Sequence, residues 1–185
     1  MSDDVTYYTA AAVIGGHNER FGETRSAFVK MVSQVRKTDG LVEHVISAKD
    51  TFTREKFSLA RAELEVVVAC AESAPDHAII STFSEYVHSG VTKWVAGWAA
   101  NGWRNKKGEE VKNKDLWQRL LAVASSRKIY WYLDIKADPT TNESKLALEM
   151  AMGTEINKEE RDDEEEPSFV VTEAERSVPI SYGGW

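Results

Sequence analysis

Three strand-like runs follow one another before the first helix pattern, and that order constrains the fold more than any other feature. Val5–Ile14 opens with the β-branched and aromatic run VTYYT. Thr24–Gln34 alternates, with Phe28, Met31 and Val32 apolar, and Leu41–Ala48 follows a turn at Lys37–Gly40. Such residues fit a pleated, half-buried surface. Three strands joined by short links pair as an antiparallel meander. Leu59–Glu72 then places Leu64, Val67, Val68 and Ala71 on one helical face. His77–Ser81 is a short apolar run suited to burial on both sides. Short helices are predicted around 84–89 and 91–101, then a loop over 103–112, a helix over Asp115–Ser125, a strand over Lys128–Ile135 and a helix from Thr141 to Met152. Strands separated by helical crossovers pair in parallel. The expected fold is therefore α/β: a five-stranded mixed sheet, three antiparallel strands then two parallel ones, flanked by helices.

Charge divides the chain in two. Residues Gly153–Trp185 hold ten of the 30 acidic and three of the 23 basic residues, so this segment carries the whole net charge of −7. Residues 1–152 are neutral overall and form the expected domain. Residues 153–185 are expected to be a disordered acidic tail, because a run such as NKEERDDEEEP buries too little apolar surface to order itself. Its later SFVV and terminal Trp185 leave docking onto a protein partner open. The single cysteine, Cys70, lies in an apolar run and excludes an intrachain disulfide. The start MSDDVTYYTA lacks a signal-peptide pattern, and no apolar run reaches membrane-spanning length. An intracellular protein, cytoplasmic or nuclear, with no membrane partner is expected. His17, His44, His77 and His88 show no metal-ligand spacing.

Residues 83–118 hold four of the six tryptophans, Trp94, Trp98, Trp103 and Trp117. Between Lys93 and Lys114 stand six basic residues (Lys93, Arg104, Lys106, Lys107, Lys112, Lys114) against Glu109 and Glu110. Trp94 and Trp98 are four apart and share a helix face. Two readings fit: a stripe that docks a helix on a core, or aromatic faces and cations arranged for nucleic acid.

The runs TKWVAGW, GWRNKKGEE and VKNKDLWQRL resemble the handle helix, basic protrusion and following helix start of type 1 ribonuclease H. The resemblance extends over roughly residues 5–150. It implies the mixed five-stranded fold and a two-metal site of four carboxylates, ions about 4 Å apart. Matched motif by motif, the first carboxylate of a Thr-Asp-Gly run is replaced by Ala10 in Thr9-Ala10-Ala11. The second is kept as Glu63 in Arg61-Ala62-Glu63. Phe83 stands for the third within Thr82–Val87, and Leu146 for the fourth after Asn142-Glu143. The family's histidine loop is shortened to Lys136-Ala137-Asp138-Pro139. The expectation drawn from these losses is a pseudoenzyme: Glu63 vestigial, no catalytic residue, no bound metal and no cofactor. Mg²⁺ or Mn²⁺ would enter only with a rebuilt set of Glu63, Glu85, Asp138 and Glu143.

The resemblance also implies which binding residues remain. Ala11, Gly16, Leu59 and Ala60 stand where the family reads the hybrid's minor groove, so the amide groups that contact 2′-hydroxyls are expected to be lost. Lys56, Ser58, Arg61 and Asn113 match its DNA-phosphate pocket. The handle has Ala99 and Ala100 at commonly basic places, which leaves Lys93, Arg104, Lys106, Lys107, Lys112 and Lys114 beside Trp94, Trp98 and Trp103 as the expected nucleic-acid-binding set. The sequence thus points to an inactive RNase H-like protein that binds an RNA–DNA hybrid or other duplex. The alternatives are a protein-interaction or structural subunit that uses the fold as scaffold, and a residually active ribonuclease H. Homodimerisation is left open.

Overall fold

The computed structural model describes residues 6–15, 22–35, 40 and 42–153. The expectations for Gly16 and for the tail after Gly153 lie outside the described residues. Five strands form one sheet: β1 (Thr6–Gly15), β2 (Gly22–Val35), β3 (Val42–Phe57), β4 (Ala78–Thr82) and β5 (Ile129–Leu133). Their spatial order is β3-β2-β1-β4-β5. β1 pairs antiparallel with β2 and parallel with β4, β2 pairs antiparallel with β3, and β4 pairs parallel with β5. This is the predicted mixed sheet.

Strand periodicity of two sends alternate residues to opposite faces. Tyr8 and Ala10 join one core with Leu64, Val67, Val68 and Ala71 of α1 (Leu59–Ser73), whereas Ala11, Ala27 and Val29 pack with Ala147 and Ala151 of α5 (Asn142–Met152). Each face therefore has its own helix. Ser58 starts α1 by accepting a hydrogen bond from the Arg61 amide at 3.3 Å, and Thr141 does the same for Ser144 at 3.1 Å in α5. These oxygens satisfy amides that a helix start leaves without partners.

Two elements depart from the sequence expectation. β3 runs to Phe57, not Ala48. The charged KDTFTREKF stretch continues the ladder with β2, with Phe28 opposite Asp50, Ser26 opposite Phe52 and Thr24 opposite Arg54. Phe52 packs on Phe28 at 6.1 Å between centroids, while Thr51, Thr53 and Arg54 are exposed. The charged side chains stay exposed, Arg54 pairing with Glu65 of α1 at 3.6 Å, and do not break the strand. The helix expected over 84–89 is α2 (Glu85–Ser89), whereas the one expected over 91–101 is a single π turn (Gly90–Trp94) followed by α3 (Val95–Ala100). The Val95 amide donates to the Gly90 carbonyl, five residues back.

The π turn sits against α4 (Lys114–Ser126). Trp117 is fully buried, and its ring lies where a Gly90 side chain would be. Its indole N–H donates to the Tyr86 hydroxyl at 3.0 Å, and Trp98 and Tyr86 both meet the ring edge-on at 5.5 Å. A methyl group at position 90 would collide with the rigid indole. Gly90→Ala is expected to lower stability by about 1–3 kcal/mol, as overpacking of a filled core does. Urea unfolding of the variant against the parent measures this.

Candidate functional site

The cleft where the resemblance places carboxylates is built by four elements. β1 contributes Ala10, which pairs with Thr82 at the end of β4. Phe83 follows β4, Glu63 lies in the second turn of α1, and Leu146 lies on α5. Ala10 and Phe83 are buried, and Phe83 belongs to an apolar cluster against which Leu146 packs. Glu63 is mostly shielded, with its side chain 12% exposed. One of its oxygens accepts from the Ser84 hydroxyl at 2.5 Å, and the other lies 3.5 Å from the Lys136 ammonium. Lys136 also donates to the Ala12 carbonyl at 3.2 Å.

Lys136 is delivered by the loop after β5. Buried Asp134 organises that loop by accepting from the Ile135 amide at 2.8 Å, the Thr140 amide at 3.1 Å and the Thr140 hydroxyl at 3.2 Å. Sequence reasoning missed both residues as parts of the site. Their signal was slight: a lone lysine in the loop after β5, which the structure places beside Glu63.

Two divalent cations do not fit these residues. Hard cations need several oxygen ligands. Three of the four implied positions are apolar, and both oxygens of Glu63 are already engaged. Glu85 and Asp138 are exposed and Glu143 is buried, and no group of three His, Cys, Asp or Glu among the described residues could hold a metal ion.

The second cluster lies at the start of α1. Arg61 makes a two-pronged pair with Asp115, at 3.1 and 2.8 Å, and a 3.3 Å hydrogen bond to the Asn113 side-chain oxygen. Asn113 holds a left-handed conformation (φ 57°) just before α4, and exposed Lys56 holds one at the end of β3 (φ 59°). Ser58 caps α1 beside them. The structure therefore brings Ser58, Arg61 and Asn113 together, with Asp115 as an added partner. Hydrogen bonding to Asp115 raises the Arg61 pKa and, reciprocally, holds the Asp115 carboxyl below its ordinary range.

The handle resolves the two readings of its tryptophans residue by residue. Trp117 is core, Trp98 and Trp103 are half-buried against that core, and Trp94 is 41% exposed. The protrusion folds back on itself: Arg104 bridges to Glu110, Asn105 accepts from the Lys107 and Glu109 amides, and the Arg104 guanidinium donates to the Gly108 carbonyl at 2.6 Å. Lys114 pairs with Glu110 at 3.2 Å. Lys93, Lys106, Lys107 and Lys112 are exposed. A hollow is lined by Glu110, Val111, Lys112, Asn113, Lys114, Asp115 and Gln118, and Asn113 and Asp115 are the residues it shares with the Arg61 cluster.

The RNase H family profile matches residues 4–147. The chain belongs to the RNase H family. Proteins named Ribonuclease H are 40–46% identical over 56–74 residues. That of Granulibacter bethesdensis is 42% identical over 73 residues, which are 38% of this chain and 49% of that protein. This chain thus aligns with about half the length of such relatives. Among solved structures, LC9-RNase H1, a type 1 RNase H with the type 2 active-site motif, has a TM-score of 0.68 at 16% identity, covering 83% of this chain and 73% of that one. LC11-RNase H1 in complex with an RNA/DNA hybrid has a TM-score of 0.51 at 9% identity, covering 80% and 97%. These confirm the fold. The expectation that the chain is not an enzyme is corrected: relatives at 40–46% identity are named as ribonucleases, which points to an enzyme, and replaced ligands do not by themselves show inactivity. Among the described residues no helix is long and apolar enough to cross a membrane.

The Arg61–Asp115 pair generates a pH prediction. Because the folded Asp115 pKa is depressed, its stabilisation is in place above the ordinary aspartate pKa of about 3.9 and fades as pH falls through the depressed value. The side chains are 34% and 60% exposed, so the contribution is below about 1 kcal/mol. Arg61→Met is expected to flatten the fall of the urea midpoint on the acid side, measured in buffers from neutral pH down to pH about 2.5.

Proposed function

We propose that this chain is a ribonuclease H-family domain that grips a nucleic-acid duplex by its sugar–phosphate backbone. The observation that carries the reading is the adjacency of two basic features. Asn113, hydrogen-bonded to Arg61 beside the Ser58 cap, lines the hollow together with Lys112 and Lys114, and Lys106 and Lys107 are exposed on the protrusion just before it in the chain. Cations that neutralise phosphates release condensed counterions, so such binding is strong at low salt and insensitive to sequence. Exposed Trp94 adds an aromatic face beside Lys93. A solved relative bound to an RNA/DNA hybrid makes the hybrid the first duplex to test. Cleavage of the hybrid's RNA strand is the second reading, favoured by the name of the sequence relatives.

The test titrates the full chain onto labelled RNA–DNA hybrid, double-stranded RNA and double-stranded DNA at about 50 and 200 mM salt, the range over which several phosphate contacts cost orders of magnitude. Affinity is expected to fall steeply with salt. The double variant Lys106→Glu with Lys107→Glu should weaken all three duplexes alike, by roughly tenfold, and lower the salt slope by about one per lost contact. Asp115→Asn frees Arg61 and should tighten binding by about two- to fivefold, in proportion to the modest pair it removes. Salt-independent or absent binding would sink the reading. Products run on a gel with Mg²⁺ or Mn²⁺ decide the second reading, which gains if cleavage occurs and disappears with Glu63→Gln.

A further inference from the structure

We propose that Lys136 is the resident cation of the Glu63 cleft and takes a backbone phosphate there without a divalent ion. The inference rests on the duplex-binding reading and extends it to a second contact. An ammonium has three N–H donors and no acceptor. The Ala12 carbonyl takes one at 3.2 Å, and the Glu63 carboxylate lies opposite at 3.5 Å. No further acceptor among the described residues is hydrogen-bonded to the ammonium, and the Lys136 side chain is 39% exposed, so an outside oxygen has access.

Charge explains why such a cleft would accept phosphate. A cleft of several carboxylates repels a phosphodiester until divalent ions neutralise it. Positions Ala10, Phe83 and Leu146 carry no charge, and Lys136 pairs with Glu63. The remaining donor is open to an incoming anion. A divalent ion would have to displace the ammonium and would gain a single carboxylate, whose other oxygen is held by Ser84 at 2.5 Å. Asp134 fixes the loop, so the ammonium is positioned before any ligand arrives.

Two measurements on the full chain test this. In the first, Mn²⁺ at millimolar concentration is added to the nucleic-acid-free protein and amide broadening is read by NMR. The Glu63 and Ser84 signals are expected to be unaffected; their selective broadening would overturn the proposal. In the second, hybrid and duplex DNA affinities are compared in EDTA and in Mg²⁺ at matched ionic strength. The parent is expected to bind within about twofold in both. Lys136→Met should weaken binding about three- to tenfold in EDTA and lower the salt slope by about one, while Lys136→Arg stays within twofold of the parent. Circular dichroism checks that both variants are folded. A parent that requires Mg²⁺, or a Lys136→Met variant with parental affinity and slope, overturns the proposal; if the Lys106/Lys107 variant still loses affinity, the duplex-binding reading survives. Absence of binding by the parent removes both.

Discussion

The burial of the Trp117 indole fixes the handle to the rest of the molecule. The ring is held on three sides by Tyr86, Trp98 and the bare backbone of Gly90, and its N–H is satisfied by Tyr86. A buried indole needs such a partner, because an unpaired N–H in a core costs stability. On the same helix, Leu120 joins the core that contains Leu64, Val67 and Val68 of α1. One side chain thus links α2, the π turn, α3 and α4 to the helix that carries Arg61 and Glu63. The basic protrusion, which follows α3, and the Arg61 cluster are consequently parts of one rigid surface.

On that surface the cations fall into two kinds. Arg61, Arg104 and Lys114 are committed to Asp115, the Gly108 carbonyl and Glu110. Lys93, Lys106, Lys107 and Lys112 stand exposed. A committed guanidinium is oriented before a phosphate arrives, but must exchange or share its partner; a free ammonium contributes charge without direction. On the duplex-binding proposal, the base of this face would supply geometry and its tip attraction. This division follows from the sequence, since Asp115 and Glu110 sit within the same short run as Lys112 and Lys114.

The sheet was legible because its signals are local. The β-branched and aromatic run that opens β1 and the helical face of Leu64, Val67, Val68 and Ala71 are both carried by neighbours in sequence. The missing parts depend on distant partners. Residues 49–57 fall beyond the strand expected over Leu41–Ala48, yet they continue it because β2 offers Phe28 and a ladder that runs on to Phe57. The π turn is set by the Trp117 ring, 27 residues after Gly90. Whether a tryptophan packs or is presented to a ligand could not be read from spacing, because Trp94 and Trp98 share a face by sequence and differ in exposure through contact with Trp117. Lys136 reaches the Ala12 carbonyl across 124 residues, a contact with no local trace.

The cleft is internally consistent in a way that its separate substitutions are not. Removing a carboxylate from β1 or after β4 would leave neighbouring carboxylates facing one another and fewer ligands for a cation. Here Ala10 and Phe83 are absorbed into apolar clusters, and α5 presents Ala147 and Ala151 closely enough to pack against Phe83. Glu63 is a shielded charge beside that packing, which is costly unless paired. Ser84 supplies the hydrogen bond and Lys136 the opposite charge, one from the N-cap of α2 and the other from a loop closed on Asp134. An ammonium needs one carboxylate where a hard divalent ion needs several oxygens. Apolar side chains at positions 10, 83 and 146 and a lysine beside Glu63 thus form one consistent electrostatic arrangement, the setting in which the proposed phosphate contact would be made.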